Sequence, residues 1–214
     1  MTARKLSLIV PLAFLVHRSL GGPAPEAVAQ SVIEPEWEFS ISTSTYLVRN
    51  GPDYANPNVT ADRDWLHLEA RYNYEALRTG SIWLGYNFSF GEKLVFEATP
   101  MLGGVFGDVT GIAPGYSLSL TYEWLSLSTQ GEYFFDSGSR GGNFFYTWTE
   151  LNVSPVHWLH AGFVIDRTKA FGSSFDIRRG PLLGFTYQKF DFTTYWLSPG
   201  SHNSAVVFAA TISF

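Results

Sequence analysis

Residues 82–102, IWLGYNFSFGEKLVFEATPML, hold two runs in which apolar and polar side chains alternate, joined by a short turn that contains glycine. The apolar face of the first run consists of Ile82, Leu84, Tyr86, Phe88 and Phe90. The apolar face of the second run consists of Leu94, Phe96, Ala98, Pro100 and Leu102. A period of two residues indicates β-strands with one apolar face, and a short turn between two such runs indicates a β-hairpin.

The same alternation continues along most of the chain. It predicts strands at 37–48, 64–75, 80–90, 93–105, 114–122, 125–135, 143–153, 157–167, 176–187, 189–197 and 204–214. Closed barrels of a single bacterial chain normally have an even number of strands. We therefore expect about ten strands, with the segment 37–48 outside the wall. The alternative is twelve, with a further strand within residues 54–60.

Three features indicate that the apolar faces point toward lipid. The predicted strands have about 10 to 13 residues, the length that a tilted strand needs to cross a bilayer. The polar faces carry small Gly, Ser and Thr residues among their charges, as a narrow lumen requires. Aromatic residues gather at the strand ends, as they do at membrane–water interfaces. The set near short turns is Phe88, Phe90, Tyr122, Trp124, Trp158, Tyr187, Phe190 and Phe214, and the set near longer loops is Phe106, Tyr133, Phe135, Phe144, Phe145, Phe171, Phe175 and Trp196.

The predicted fold is an all-β, transmembrane, antiparallel up-and-down β-barrel. Closure allows strands to cross hydrocarbon with every backbone group paired. The connections are expected to alternate between short turns and longer loops, the longer ones at residues 107–115, 136–142, 167–176 and 198–204. Because outer-membrane barrels have short periplasmic turns and longer external loops, the longer set is expected to face outward.

The N-terminal 29 residues have the features of a signal peptide. Arg4 and Lys5 precede an apolar stretch at residues 6–16, and Ala27-Val28-Ala29 is a small-residue cleavage site. We expect one barrel domain over residues 30–214. An uncleaved membrane anchor is the alternative.

Composition excludes several classes of function. The chain has no cysteine, which rules out a disulfide framework, a thiolate metal site and a cysteine nucleophile. A net charge of −5 with 15% charged residues gives no indication of a nucleic-acid partner. No cofactor is expected.

The C-terminal segment 204–214 alternates and closes on Phe214. It resembles the assembly signal of bacterial outer-membrane β-barrel proteins. The resemblance covers about ten residues and, with the signal peptide, implies a location in the bacterial outer membrane. It also implies contact with outer-membrane lipids, and recognition of the terminal strand by the barrel-assembly machinery.

Charged residues on the polar faces are expected to line the lumen. The candidates are Glu69, Arg71, Glu75, Glu97, Glu123, Glu132, Glu150, Asp166, Arg178 and Asp191. A lumen of this size is too narrow for a wide water column, so buried charges must pair or form hydrogen bonds. One possibility is a network of Arg–carboxylate pairs, centred on Arg71 and Arg178, that fills the interior. The other is a functional lumen, either a small cation-preferring pore or a ligand slot.

Three further hypotheses follow from individual residues. His67 and Glu69 share a strand face and are weak candidates for the catalytic pair of an outer-membrane hydrolase, although no serine at a telling spacing accompanies them. The same alternation would also fit a soluble periplasmic β-barrel that binds an apolar ligand.

Asp53, Asp62 and Asp64, in or near a loop at 50–64, could hold Ca²⁺, but a solvated acidic loop is favoured and no metal site is expected. The main expectation is a structural or adhesive barrel, or a narrow channel.

Overall fold

The computed structural model describes residues 36–138, 142–170 and 175–214, so the predicted signal peptide and Phe171 lie outside the described residues. The strands are β1 (Glu38–Val48), β2 (Tyr54–Arg63), β3 (Leu66–Tyr72), β4 (Thr79–Tyr86), β5 (Phe88–Phe90), β6 (Leu94–Gly107), β7 (Gly111–Tyr122), β8 (Leu125–Asp136), β9 (Phe144–Val156), β10 (Leu159–Ala170), β11 (Asp176–Tyr187), β12 (Phe190–Leu197) and β13 (Ala205–Ser213). Within these three ranges, no helix has the length and apolar character needed to cross a bilayer.

The strands form a closed antiparallel meander. Each wall strand pairs with the next, and β1 pairs with β13, which joins the two ends of the sheet. Both β4 and β5 pair with β6 in one register, with Gly85 opposite Met101 and Phe88 opposite Ala98, so they form a single wall strand. The break between them lies opposite Pro100, which has no N–H to donate to the ladder. The barrel therefore has twelve wall strands.

The twelve-strand alternative is confirmed, and the preferred count of ten is wrong. Segment 37–48 forms β1 within the wall, and residues expected to form a long loop form β2 instead. Two features hid β2. Its outward positions carry small residues such as Ala55 and Ala61, which weakens the alternation, and Asn56-Pro57 is a dipeptide typical of turns.

The structure also shows that most of the predicted loop at 50–64, which was considered for Ca²⁺, is strand β2. Asp62 belongs to the inward face of β2, and a two-residue turn at Asp64 leads into β3. Asp53 lies at the other end of β2, where its Oδ1 accepts a hydrogen bond from Val48 N at 2.9 Å. The expected acidic loop is wrong because its central residues form a strand.

The apolar faces point away from the barrel axis. Leu84 and Phe208 are 59% and 49% exposed, whereas Trp83, the inward neighbour of Leu84, is 0% exposed. Large exposed apolar side chains occur on every wall strand and form a continuous outer belt. A belt of this extent requires lipid or another apolar partner. The soluble-barrel alternative is wrong because its apolar side chains would have to face the interior.

The two ends of the barrel differ in their connections. At one end, called the turn end, two-residue turns follow β2, β7, β9 and β11; Asp64, Glu123 and Gln188 adopt a left-handed φ in three of them. At the other end, called the loop end, most connections are longer, including 73–78 and 198–204. The long loop expected at 107–115 is wrong, because β6 and β7 extend the ladder and leave only residues 108–110 between them.

Candidate functional site

Aromatic side chains fill the loop-end half of the lumen. We call this layer the plug and define it by Tyr46, Trp83, Phe134, Tyr146, Trp148 and Tyr195, together with Arg71 and Arg178. The packing forms two clusters, one around Trp148 and Tyr195 and the other around Trp83 and Phe134. Tyr146 and Arg178 are half-buried and the other six side chains are buried, so the lumen is constricted here.

Arg71 is the centre of one half of the plug. Its Nη2 donates to Glu69 Oε2 at 2.8 Å, and its Nη1 donates to Glu132 Oε2 at 3.0 Å. The guanidinium also lies 4.2 Å from the ring centroid of Trp83 and 4.6 Å from that of Tyr74. Glu69 and Arg71 share a face because they are two residues apart on β3, whereas closure of the barrel brings Glu132 to them from β8.

Tyr74 departs from its predicted position. The predicted strand at 64–75 would put Tyr74 on the same outward face as Leu68 and Tyr72, but β3 ends at Tyr72. Tyr74 follows the strand end, and its ring turns into the lumen against Arg71 and Tyr146. Gln130 donates a hydrogen bond to the Tyr74 hydroxyl. The loop therefore supplies part of the plug.

The Trp83 indole lies in a recess made by two glycines. A Cβ placed on Gly103 would lie 2.5 Å from Trp83 Cδ2, and one on Gly115 would lie 2.9 Å from Trp83 Cζ3. Both glycines face inward. Gly103 is on β6, which pairs with β4, and Gly115 is on β7, which pairs with β6. Without side chains at these positions, the indole can lie flat on the wall and form the surface on which Arg71 stacks.

Gly103→Ala is expected to lower the free energy of unfolding by about 1–3 kcal/mol, because the new methyl forces the indole out of its recess. Urea unfolding in lipid vesicles, followed by tryptophan fluorescence, would measure the change. Gly104→Ala is the matched control, since a Cβ at Gly104 has nothing within 4 Å. Equal losses in both variants would contradict the packing described here.

Arg178 is the centre of the other half of the plug. Its Nε and Nη2 donate to Asp166 Oδ2 at 2.9 and 2.6 Å. The guanidinium lies 6.0 Å from the ring centroid of Tyr46, which stacks on Tyr54 with ring centroids 4.5 Å apart. The two arginines therefore hold separate carboxylates, and each guanidinium lies against aromatic rings.

Glu150 is held by neutral donors. Its Oε1 accepts from Trp148 Nε1 at 2.6 Å and from the Tyr195 hydroxyl at 3.0 Å, and its Oε2 accepts from Asn152 Nδ2 at 3.0 Å. The predicted candidate Glu75 likewise accepts from a hydroxyl, Ser81 Oγ, at 2.6 Å. Among the described residues, the hydrogen bonds of Glu75 and Glu150 thus come from neutral donors and not from a cationic partner.

The turn-end half of the lumen is lined by small hydroxyl residues and by two carboxylates. We call this region the vestibule and define it by Glu97, Ser117, Ser119, Ser128 and Asp191. Ser117 faces inward yet is exposed, which indicates open space inside the barrel. Ser119 Oγ donates to Glu97 Oε2 at 2.9 Å. Asp191 accepts from Thr186 Oγ1 at 2.5 Å and from Thr193 Oγ1 at 3.1 Å.

Glu123 is not part of the lumen lining. It was expected there from the alternation that runs through 116–122, but the strand ends at Tyr122. Glu123 is the first residue of a two-residue turn, with φ of 51°, and its side chain is exposed. The alternation continued one residue past the end of the strand.

The surroundings of His67 give no support to the hydrolase hypothesis. Its Nδ1 lies 2.8 Å from Asp62 Oδ1, and its Nε2 lies 3.4 Å from Glu69 Oε2. Asp62 Oδ1 also accepts from Asn87 Nδ2 at 2.8 Å. Both ring nitrogens face carboxylates, so neither is placed to activate a hydroxyl nucleophile. No cluster of three or more His, Cys, Asp or Glu residues suited to a metal ion occurs in the described ranges.

The aromatic interior was not predicted from the sequence. Phe144 was expected in the outer aromatic ring, but it packs inside against Phe134 with ring centroids 5.2 Å apart. The available signal was strand parity, because Tyr46, Trp148 and Tyr195 alternate in step with polar residues. The closed register confirms that this parity is the inward one.

No protein-family model and no curated protein matches the chain. Among solved structures, the KdgM porin is similar with a TM-score of 0.57 and 12% identity, covering 82% of this chain and 99% of that chain. The KdgM porin in complex with disordered oligogalacturonate has a TM-score of 0.57 and 11% identity, over 82% of this chain and 99% of that one. The structure titled "Unveiling the Mechanism Behind the in-meso Crystallization of Membrane Proteins" has a TM-score of 0.55 and 10% identity, over 83% of each chain. The chain therefore has the closed-barrel fold of bacterial outer-membrane porins.

Proposed function

We propose that the chain is a bacterial outer-membrane barrel of the channel type, with a constricted lumen that favours small cations. Its continuous apolar outer belt and its likeness in fold to porins support the membrane placement. The short turns then face the periplasm and the longer loops face outward. The excess of carboxylates in the lumen carries the proposed ion preference.

The lumen is acidic. Carboxylates on inward strand positions are Glu38, Asp62, Glu69, Glu97, Glu132, Asp136, Glu150, Asp166, Asp176 and Asp191. On the described strands the inward guanidinium groups belong to Arg71 and Arg178, and both are already paired with carboxylates. A cleft lined by one sign of charge concentrates ions of the opposite sign. The lumen should therefore attract cations and repel anions.

The same charge argues against one ligand of a structural neighbour. The KdgM porin has been solved with oligogalacturonate, in which each sugar carries a carboxylate. A polyanion would meet the carboxylates of this lumen without free guanidinium groups to receive it. We therefore propose a channel-type barrel for this chain and do not propose that it binds oligogalacturonate.

The plug limits what can pass. The vestibule leads from the turn end to a layer in which Trp83 and Tyr195 are almost completely buried. We infer a small unit conductance and exclusion of oligosaccharides. The filled layer also favours a second candidate, a structural or adhesive barrel without transport, and ion current separates the two.

Reconstitution of the full chain in planar bilayers under a KCl gradient tests the proposal. We expect a reversal potential of the sign that indicates cation preference. Changing Glu97→Gln and Asp191→Asn together should lower the K⁺/Cl⁻ permeability ratio by about twofold to tenfold, because two partly exposed lumen charges are lost. Glu123→Gln is the control, since it removes a carboxylate that lies outside the lumen.

Each other outcome is decisive. An anion preference in the unmodified protein would overturn the proposed role of the lumen charge. A correctly folded barrel that never conducts would exclude the channel and favour the second candidate, a structural or adhesive barrel. An equal change in the ratio for Glu123→Gln would show that the selectivity arises outside the vestibule.

Recognition by the barrel-assembly machinery is part of the proposal. Phe214 follows β13, its N–H donates to Phe39 O at 2.9 Å, and its ring is exposed on the outer surface. The last strand therefore presents an accessible aromatic residue where the barrel closes.

A further inference from the structure

Charged residues on the outward face of the described strands are all cations: Arg63, Arg167, Lys169 and Arg179. Arg63 lies at the turn end, 5.8 Å from the ring centroid of Trp37. The other three lie together on β10 and β11, close to the loop end. The outer belt thus has a single basic patch at that end, which we define as Arg167, Lys169 and Arg179.

A depression adjoins the basic patch. Arg167 lies opposite Thr147, Thr147 opposite Gly131, and Gly131 opposite Tyr116, so the four residues form one row across β10, β9, β8 and β7. The Tyr116 hydroxyl and the Thr147 methyl lie over Gly131, 2.8 and 3.0 Å from where its Cβ would be. The depression has a volume of about 390 Å³ and is lined by hydroxyl residues, by Arg167 and by apolar residues such as Phe145.

Within residues 36–138, 142–170 and 175–214, the patch has no anionic partner. Arg167, Lys169 and Arg179 are exposed, and among the described residues none of them forms an ion pair with a carboxylate. Lys169 Nζ lies 5.1 Å from the ring centroid of Phe175. Cations on the lipid-facing side of a barrel are unfavourable unless they reach water or an anion.

We propose that the basic patch and the adjoining depression bind a phosphorylated, acylated glycolipid of the outer leaflet, that is, lipopolysaccharide. The inference rests on the outer-membrane placement proposed above, with the loop end outward. Guanidinium groups bind phosphate through paired hydrogen bonds, and basic patches at the membrane interface bind anionic headgroups. The half-buried hydroxyls of Thr129 and Thr149, which lie 3.0 Å apart, can bond the sugar, while Phe145 offers an apolar contact for an acyl chain.

A second copy of the chain fits the patch less well. The outward faces of the described strands carry no carboxylate that could pair with these three cations. Two copies meeting through this patch would instead place like charges together. A phosphate-bearing lipid supplies the missing negative charge.

The test uses the full chain in detergent, with lipid binding measured by native mass spectrometry. The probes are diphosphoryl lipid A, lipid A without phosphates, and phosphatidylglycerol. We expect the triple variant Arg167→Gln, Lys169→Gln, Arg179→Gln to bind diphosphoryl lipid A about tenfold more weakly or worse. Arg63→Gln, which removes the outward cation of the other end, should stay within about twofold of the unmodified protein.

Equal binding of diphosphoryl lipid A by the triple variant would overturn the proposal. So would binding of phosphatidylglycerol or phosphate-free lipid A as tight as that of the diphosphoryl form, because either result would remove the specificity for phosphorylated glycolipid. Heat-modifiable gel migration checks that the variant is folded; if it is not, Arg167→Gln and Arg179→Gln are measured singly, with about threefold loss expected for each. Lipid binding does not require ion current, so failure of the channel proposal is seen separately in planar bilayers.

Discussion

Replacing Arg71 by Met should lower the free energy of unfolding by about 3–5 kcal/mol, the cost of leaving a buried charge without its partner. Glu132 is only 2% exposed, and both it and Glu69 would lose the guanidinium that now bonds them. The stacking of Arg71 on Trp83 and Tyr74 would be lost as well. Urea unfolding of the barrel in lipid vesicles measures the change.

Arg78→Met is the matched control for this prediction. Arg78 Nη2 lies 2.5 Å from Asp108 Oδ2, but this pair is at the loop end and largely exposed. An exposed ion pair contributes about 0–1 kcal/mol, so the same substitution should have little effect there. Adding Glu69→Gln and Glu132→Gln to Arg71→Met should restore part of the lost stability, because no buried charge is then left unpaired. A cost for Arg71→Met no larger than that for Arg78→Met would contradict the buried pairing.

Leu84→Arg should lower the free energy of unfolding in vesicles by about 2–4 kcal/mol, the range for Arg facing lipid near the bilayer midplane. Leu84 is outward-facing and central in the wall strand formed by β4 and β5. Ser117→Arg, central in β7 and facing the lumen, introduces the same side chain on the opposite face. We expect a cost of about 0–1 kcal/mol there, because the guanidinium reaches water or the lumen carboxylates.

Urea titration of both variants, followed by tryptophan fluorescence, gives the two costs side by side. The difference between them depends on which face meets lipid, since both positions are central in their strands. A larger loss of unfolding free energy for Ser117→Arg than for Leu84→Arg would contradict the assignment of the outer face to lipid.

The alternation was sufficient to predict the barrel and the direction of its faces. In the 82–102 hairpin, Ile82 and Leu84 point outward and Trp83 inward, as their parity indicated. Long strands with large outward residues make this signal strong. It failed at β2, where Ala55 and Ala61 are too small to mark a lipid-facing side, and it ran past the strand end at Glu123.

The interior was predictable only where its contacts are local. Glu69 and Arg71 are two residues apart on one strand, so their pairing follows from the period of the strand. Glu132 joins them through the closed register, which cannot be read from the spacing of residues. Tyr74 enters the lumen from a loop, where strand periodicity gives no direction. The basic patch was equally hidden, because Arg167 and Arg179 become neighbours only through the pairing of β10 with β11.

The most direct test of a lipid-facing apolar wall around a polar lumen is the accessibility of single spin labels. Because the chain has no cysteine, each introduced cysteine reports one position. With the barrel in lipid vesicles, we expect labels at Leu84, Phe96 and Phe208 to be accessible to oxygen and shielded from a water-soluble nickel complex. Labels at Ser119 and Ser128 should show the opposite preference. A reversed pattern, or the same accessibility on both faces, would contradict the orientation on which the proposed functions depend.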